Sequence, residues 1–112
     1  MAAKFEITKA QNGKILFNLK ATNGQVILTS QMYENKESAL AGIESVKTNG
    51  FNDAQFERKT ASNGQSFFNL KATNGQVIGK SETYTTTAAM ENGIASVKNN
   101  APSAEVADFA AV

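Results

Sequence analysis

Apolar and polar residues alternate in short segments along the first part of the chain, and a helical period follows. Phe17 and Leu19 alternate with the polar Asn18 and Lys20, which is typical of a strand with one buried face. Further on, Met90, Ile94 and Val97 recur at spacings of four and three residues, so they share one side of a helix. The pattern therefore predicts strands followed by an amphipathic helix.

This pattern occurs twice in the chain. Residues 5–50 align with residues 56–101 without a gap, and the segment Asn-Leu-Lys-Ala-Thr-Asn-Gly-Gln-Val-Ile stands unchanged at 18–27 and at 69–78. A unit this short cannot bury an adequate core alone, so we expect the two copies to complete each other in one compact domain. That domain spans 1–112 and comprises repeat 1 (5–50), repeat 2 (56–101) and a C-terminal tail (102–112).

Each repeat has two Asn-Gly pairs between its strand segments. Asn-Gly favours a hairpin turn because both residues tolerate positive φ. Treating Asn23-Gly24 as a two-residue loop pairs Leu19 with Leu28 and turns Ile27 to the outer face. A three-residue loop at Asn12-Gly13 gives a better inner face, because it pairs Phe17 with Ile7 and Leu19 with Phe5. The two turns are therefore predicted to differ in type.

Capping residues and a glycine mark each predicted helix. Asn35 and Thr86 are suited to be the N-caps of the two helices. Gly42 and Gly93 fall in the middle of the helices, at a cost of about 1 kcal/mol relative to alanine. We therefore expect each helix to approach the sheet closely at its glycine.

The assembled motif resembles a known family. Asn-Gly, Phe-Asn-Leu-Lys-Ala-Thr-Asn-Gly-Gln-Val-Ile, Ser-x-x-Tyr and Gly-Ile-x-Ser-Val-Lys-x-Asn together resemble the YegP-like family of small uncharacterised bacterial proteins, twice and over nearly the whole chain. The resemblance implies an α+β fold. Two tandem β-β-β-α repeats would form a single antiparallel sheet, with both helices packed on one face and the terminal strands exchanged between the repeats. It implies homodimers for single-copy members and no established activity. The tail after Pro102 departs from the pattern, and its Val106 and Phe109 favour a last strand.

Composition narrows the possible functions. The 112 residues include 11 Lys and Arg against 10 Asp and Glu, and the net charge of +1 provides no general attraction to nucleic acid or anionic lipid. Cysteine and histidine are absent, which removes thiolate and imidazole chemistry and the usual zinc ligands. The carboxylates show no paired spacing for acid–base catalysis or metal binding. We expect no catalytic residue, no metal and no cofactor, and hence a protein that is not an enzyme.

Localisation is predicted from hydropathy alone. No apolar run matches a signal peptide or approaches the roughly 20 residues of a membrane span, so we expect a cytoplasmic protein.

The face of the sheet opposite the helices is the candidate binding face. If both helices cover Phe17 and Leu19, the other face is open and mixes apolar, amide and ammonium groups. The predicted residues of this face are Leu16, Asn18, Lys20, Ile27, Phe67, Asn69, Lys71, Ile78 and Lys80. We expect a non-enzymatic interaction module for a protein or peptide, in a monomer with internal pseudo-twofold symmetry. The alternative is that the open face has no binding role and carries only the scattered exposed residues of a one-sided sheet.

Two further functions are alternatives to a protein-binding face. A weak single-stranded nucleic-acid binder would need stacking rings and a cationic stripe, and Phe67 is the only aromatic residue predicted there. An enzyme would have to use Lys or carboxylate groups, and no arrangement in the sequence supports one.

Two other features invite a functional interpretation. Arg58 replaces Ile7 of the first copy, and it is either a candidate anion contact or the partner of a nearby glutamate. Ser30 and Tyr33, repeated at 81 and 84, suggest a hydroxyl site, but a nucleophilic serine needs a base and the chain has no histidine. We favour a structural role in which the tyrosines fix the start of each helix to the core.

Overall fold

A computed structural model of the protein describes residues 3–109, which form one seven-stranded sheet and two α-helices. The strands are β1 (Lys4–Lys9), β2 (Ile15–Lys20), β3 (Val26–Ser30), β4 (Phe56–Thr60), β5 (Ser66–Lys71), β6 (Val77–Lys80) and β7 (Glu105–Asp108). The helices are α1 (Lys36–Asn49) and α2 (Thr87–Asn100). Two repeats of three strands and a helix are therefore present, and the tail forms β7.

The two three-strand meanders meet in the middle of the sheet. The strand order is β4-β5-β6-β3-β2-β1-β7, and β3 pairs with β6 through Thr29 with Lys80 and Ser30 with Gly79. β7 leaves repeat 2 and joins the outer edge of repeat 1, so a terminal strand is exchanged as expected. Its pairing with β1 is parallel, with Val106 beside Phe5. The sheet is therefore mixed, which corrects the expectation of a wholly antiparallel sheet.

All four Asn-Gly turns have the same form, so the prediction that they differ in type was wrong. In the first turn the Ala10 amide donates to Lys14 O, and in the second the Ala21 amide donates to Gln25 O. Both are three-residue loops that end in a glycine with φ of 83° or 85°. The asparagine side chain accepts a hydrogen bond from the amide two residues on, at 3.0 Å in each turn.

A β-bulge compensates for the longer second turn. Lys20 pairs with Val26 but Leu19 pairs with Leu28, so Ile27 is the extra residue of β3. The predicted pairing of Leu19 with Leu28 is confirmed, whereas the outward position of Ile27 was wrong. Repeat 2 has the same bulge, in which Ile78 is the extra residue of β6. Ile27 and Ile78 are 7% and 5% exposed and belong to the core.

The helices cover one face of the sheet and connect the repeats. The predicted pairs Phe5 with Leu19 and Ile7 with Phe17 are present, and all four side chains are completely buried. α1 contacts β2 of its own repeat and also β5 and β6, while α2 contacts β5 and β3. Each helix therefore seals the junction between the repeats, so neither repeat has its complete core alone. Neither α1 nor α2 meets the length and apolarity of a membrane-spanning helix within residues 3–109.

The helix caps are as predicted, and so is the close approach of each helix to the sheet at its glycine, since a Cβ on Gly42 would lie 3.0 Å from Phe17 Cε2. Asn35 Oδ1 accepts from the Ser38 amide at 2.8 Å, and Thr86 Oγ1 accepts from the Ala89 amide at 3.0 Å. A Cβ on Gly42 would lie only 2.8 Å from Tyr33 Cζ, and it would also overlap the hydroxyl oxygen. The glycine thus admits a tyrosine ring from the segment before the helix.

Candidate functional site

A line of polar side chains crosses the open face of the sheet. Cross-strand pairing joins Glu6 to Asn18, Asn18 to Thr29 and Thr29 to Lys80, and it continues through Asn69 to Glu57. We call this line the central polar row, and its members are Glu6, Asn18, Thr29, Lys80, Asn69 and Glu57. One residue from each of six strands contributes, so the row is as rigid as the sheet itself.

The two ends of the row are equivalent and electrostatically satisfied. Glu6 Oε1 lies 2.9 Å from Lys20 Nζ, and Glu57 Oε2 accepts from Lys71 Nζ at 3.0 Å. Asn69 Nδ2 also donates to Glu57 Oε1 at 3.1 Å. These hydrogen bonds, from Asn69 first and Lys71 second, lower the pKa of the Glu57 carboxyl. Each repeat therefore ends the row with a glutamate that already has a lysine partner.

The centre of the row differs, because the equivalent positions of the two repeats are Thr29 and Lys80. Thr29 Oγ1 donates to Asn18 Oδ1 at 2.7 Å. Lys80 Nζ lies 4.8 Å from the ring centroid of Phe67, a cation–π distance. Among residues 3–109, Lys80 has no carboxylate within ion-pair distance. An exposed ammonium group is thus held over an aromatic ring in the middle of the open face.

A shallow depression lies beside Lys80, where β3 and β6 meet. Its volume is ≈ 250 Å³, and Thr29, Asn69, Val77 and Lys80 are among the residues that line it. The two central strands share two residue pairs, and beyond them Gln31 bridges the seam, because its backbone amide donates to Ile78 O and its side-chain amide donates to Val77 O. The depression offers a hydroxyl, an amide and a cation around an apolar side chain.

The open face differs from the sequence prediction at two positions. Leu16, Asn18, Lys20, Phe67, Asn69, Lys71 and Lys80 lie on it by the strand pairing. Ile27 and Ile78 do not, because the bulges turn them toward the helices. Val26 and Val77 stand in their place beside Lys20 and Lys71, and both are half-buried. Valines therefore take the two apolar positions of the face that were predicted for isoleucines.

Sequence reasoning also missed several members of the site. Glu6 and Glu57 are brought into the row by their pairing with Asn18 and Asn69. The register between β1 and β2 was predicted correctly, so the position of Glu6 was available from the sequence. The pairing of Thr29 with Lys80 could not be read from the sequence, because it depends on how the two repeats meet.

The open face carries an excess of positive charge. By their register, Lys4, Lys20, Lys59, Lys71 and Lys80 share this face with Glu6, Glu57 and Glu105. Five lysines against three glutamates leave two positive charges, compared with +1 for the whole chain. Cations are thus concentrated on the surface that the helices leave uncovered.

Arg58 has carboxylate partners within the chain. Its Nε lies 2.6 Å from Glu91 Oε2, and its Nη2 lies 3.0 Å from both Glu91 Oε1 and Asp53 Oδ1. Lys98 Nζ also donates to Asp53 Oδ1, at 2.7 Å. These two cations, Lys98 first, lower the pKa of Asp53 to about 2. Arg58 thus stabilises the outer edge of the sheet against α2, and we do not propose an external anion there.

The repeated serines and tyrosines are separate structural features. Ser30 Oγ accepts from the Phe17 amide at 2.9 Å and donates to Gln31 O at 2.7 Å. Ser81 does the same with Phe68 and Glu82. Each serine replaces a backbone partner where the chain leaves the sheet, and its hydroxyl is fully engaged. The Tyr33 backbone then returns to pair with Ile15, so the tyrosine fixes the start of α1.

The architecture defines a class of protein: a tandem-repeat α+β domain with helices on one face of its sheet and a charged, polar row on the other. The chain belongs to the DUF1508 family, described as a domain of unknown function, which matches residues 10–57 and 61–108. Both copies of the family unit are therefore present, each running from a β-hairpin through a helix into the strand that follows it.

Relatives at high identity match nearly the whole chain, and two solved structures share its fold. The UPF0339 protein YegP of Escherichia coli K12 is 50% identical over 108 residues, which is 96% of this chain and 98% of YegP. A UPF0339 protein of Pseudomonas aeruginosa is 53% identical over 108 residues, again 96% and 98% of the two chains. The solution NMR structure of the E. coli protein of unknown function yegP matches with a TM-score of 0.94 at 48% identity, covering 100% of this chain and 97% of that one. A UPF0339 protein of Shewanella oneidensis matches with a TM-score of 0.91 at 44% identity, covering 98% and 93%.

Proposed function

We propose that this protein is a non-enzymatic interaction module that binds an acidic segment of a partner protein on its open sheet face. The observation that carries the proposal is the exposed ammonium group of Lys80 at the centre of the face, held over Phe67 at 4.8 Å without a carboxylate partner among residues 3–109. A positioned cation beside uncharged donors and acceptors suits a carboxylate with neighbouring peptide groups.

The surroundings of Lys80 support a peptide rather than a small anion. Asn69 and Thr29 stand directly beside it in the central polar row, and a depression of ≈ 250 Å³ extends along the seam of β3 and β6. The row continues across six strands, so an extended segment has polar partners over its length. The glutamates at both ends already have lysine partners, and the excess cations remain available to the ligand.

Single-stranded nucleic acid is the second candidate. The excess positive charge and the ring of Phe67 favour it, because such sites combine cations with stacking platforms. Within the seven strands, however, Phe67 is the only aromatic residue that faces away from the helices, and the ammonium of Lys80 already lies over its ring. We therefore favour the acidic peptide, and we infer that a monomer binds it because the repeats already join through β3 and β6.

The test is an NMR titration of the labelled protein with a polyglutamate peptide and, separately, with an oligothymidine strand. We expect polyglutamate to shift the amide signals of Lys80, Asn69 and Thr29. Lys80→Glu should abolish the shifts, because it reverses the central charge. Lys9→Glu is the matched control, because Lys9 pairs with the buried Ile15 and therefore lies on the helix side of β1. Equal weakening by both variants, or no shift at the row, would overturn the proposal, and stronger shifts with oligothymidine would favour nucleic acid.

A further inference from the structure

The inter-repeat junction contains two clefts related by the internal pseudo-symmetry. The first cleft lies between the β2–β3 turn of repeat 1 and the start and middle of α2, with a volume of ≈ 260 Å³. The second lies between the β5–β6 turn of repeat 2 and α1, with the same volume of ≈ 260 Å³. Each cleft therefore exists only because the two repeats are joined.

The equivalent positions of the two clefts carry mostly the same residues. The turn contributes Ala21, Asn23 and Gln25 to the first cleft and Ala72, Asn74 and Gln76 to the second. The helix side contributes Tyr84, Gly93 and Ser96 to the first and Tyr33, Gly42 and Ser45 to the second. Each cleft thus combines the turn of one repeat with the tyrosine and helix of the other, so the two sites are of the same kind.

The exposed turns of the clefts are identical, whereas other exposed turns of the same form are not. Residues 21–25 and 72–76 both read Ala-Thr-Asn-Gly-Gln, although the turn residues between alanine and glutamine are exposed. The remaining pair of turns reads Ala-Gln-Asn-Gly-Lys at 10–14 and Ala-Ser-Asn-Gly-Gln at 61–65. Turn geometry requires only Asn and Gly, so it does not account for the shared Thr and Gln of the cleft turns.

Each cleft presents polar groups that the protein leaves available. The Tyr84 hydroxyl and the Gln25 side-chain amide have no hydrogen-bond partner among residues 3–109, and the same holds for Tyr33 and Gln76. Ser96 Oγ accepts from Asn100 Nδ2 at 3.0 Å, so its own hydrogen remains free to donate. Burial raises the pKa of both tyrosines, which keeps their hydroxyl groups protonated.

The lining also restricts the chemistry of a ligand. Neither cleft is lined by a charged side chain of the described residues, so an ionic ligand would find no counter-charge. Free donors and acceptors stand side by side above an apolar floor that includes Ile27 or Ile78. Hydroxyl groups donate and accept at once and therefore match such a mixture. The volume lies just below the roughly 300 Å³ at which pockets for drug-sized ligands begin.

We propose that the two clefts are a matched pair of binding sites for a small uncharged polyhydroxyl molecule of monosaccharide size. The helices form one wall of each cleft, which separates the first cleft from the open sheet face, whereas the second cleft shares Gln31 and Val77 with the depression beside Lys80. They predict two ligands per chain, each contacting both repeats. Occupancy would therefore hold the two repeats together.

The test is an NMR titration of the full chain with glucose and N-acetylglucosamine as probes, and with glucose 6-phosphate as a charged comparison. The side-chain amide signals of Gln25 and Gln76 report the two clefts separately. We expect both to shift with the neutral sugars and to saturate, and the phosphate to bind more weakly. Absence of shifts at both glutamines with both neutral probes would overturn the proposal.

The pseudo-symmetry provides an internal control. Tyr84→Phe removes one hydroxyl from the first cleft and leaves the second unchanged, so we expect the dissociation constant at Gln25 to rise about three- to tenfold while that at Gln76 stays the same. Tyr33→Phe should give the converse result. Equal weakening of both clefts by each variant, or no weakening by either, would contradict local binding by the tyrosine hydroxyls.

Discussion

Tyr33 fills the space that a side chain on Gly42 would need. A Cβ at Gly42 would stand 2.8 Å from Tyr33 Cζ, and a Cβ at Gly93 would stand at the same 2.8 Å from Tyr84 Cζ. Both helices thus accept a glycine, at a cost of about 1 kcal/mol in helix propensity, to hold a tyrosine against the core. The relationship is duplicated because both repeats fix the start of the helix in the same way.

Gly93→Ala should therefore destabilise the protein although alanine is the better helix former. We expect a loss of about 1–3 kcal/mol in the free energy of unfolding, because the added methyl group overlaps a half-buried ring. In a Tyr84→Ala background the same change should instead stabilise by up to about 1 kcal/mol. Urea unfolding of the four proteins measures both effects. Stabilisation by Gly93→Ala in the wild type would show that the tyrosine moves aside freely.

Leu28 and Gly79 are equivalent positions of the two repeats, and they lie against each other at the pseudo-symmetry axis. A Cβ on Gly79 would be 2.9 Å from Leu28 Cγ, so one leucine fills space that two would share. We expect Leu28→Gly to cost at least the roughly 2–5 kcal/mol of a buried leucine truncation, and Gly79→Leu to cost about 1–3 kcal/mol.

The double variant Leu28→Gly/Gly79→Leu tests this arrangement. It should lose less stability than the sum of the single variants by about 1 kcal/mol or more, because the new leucine occupies the vacated space. Chemical unfolding of the three variants gives the comparison. Strict additivity would mean that the two positions do not share one space.

Phe67 and Phe68 are adjacent but lie on opposite faces of β5. Phe68 is completely buried and packs edge to face on Phe56 at 5.5 Å, so Phe68→Ala should cost about 3–5 kcal/mol in unfolding free energy. Phe67 is half-buried under Lys80, and Phe67→Ser should leave the fold intact with a much smaller loss. Thermal unfolding of the two variants measures both losses of stability. A loss of folding with Phe67→Ser would place that ring in the core.

Most of the fold was predictable from the sequence, and the errors in the predicted strand faces and turns share one physical cause. Alternation along β2 identified Phe17 and Leu19 as core residues, because strand side chains alternate strictly between faces. A β-bulge breaks that alternation by one residue without a distinctive composition, so Ile27 and Ile78 were assigned to the wrong face. The second turn of each repeat was misjudged for the same reason, since a longer turn and a bulge cancel in the register, whereas the three-residue loop predicted at Asn12-Gly13 is confirmed.

Long-range pairing limited the prediction of the site. The ends of the central polar row follow from local hairpins, so Asn18 and Asn69 could be placed on the open face from the sequence. The opposition of Thr29 and Lys80 depends on β3 meeting β6, and the parallel pairing of β7 depends on where the chain goes after α2. Nothing in the local pattern specifies either contact.

The ion-pair network at Asp53 predicts a measurable titration. Its carboxyl has a pKa of about 2 against an ordinary value of 3.8, chiefly because of the hydrogen bond from Lys98. A carboxyl whose pKa is lowered on folding stabilises the folded state above its unfolded pKa, and this contribution is lost as the pH falls from about 4 toward 2.

Carbon-13 NMR titration of the Asp53 carboxyl tests this network. We expect a midpoint near 2 in the wild type and a higher midpoint, closer to 3.8, in Lys98→Met. Lys36→Met is the control, because Lys36 pairs with Asp108 instead, and it should leave the Asp53 midpoint unchanged. An ordinary midpoint in the wild type would show that the network does not persist in solution.

The central claim is that the open sheet face binds an acidic protein segment through Lys80. Its most direct test is capture from nuclease-treated bacterial lysate by the wild type, Lys80→Glu and Lys9→Glu in parallel, with the captured protein identified and its binding segment mapped by cross-linking. We predict that the wild type and Lys9→Glu retain the same protein through an acidic segment and that Lys80→Glu loses it. Equal capture by all three proteins, or capture by none, would contradict the claim.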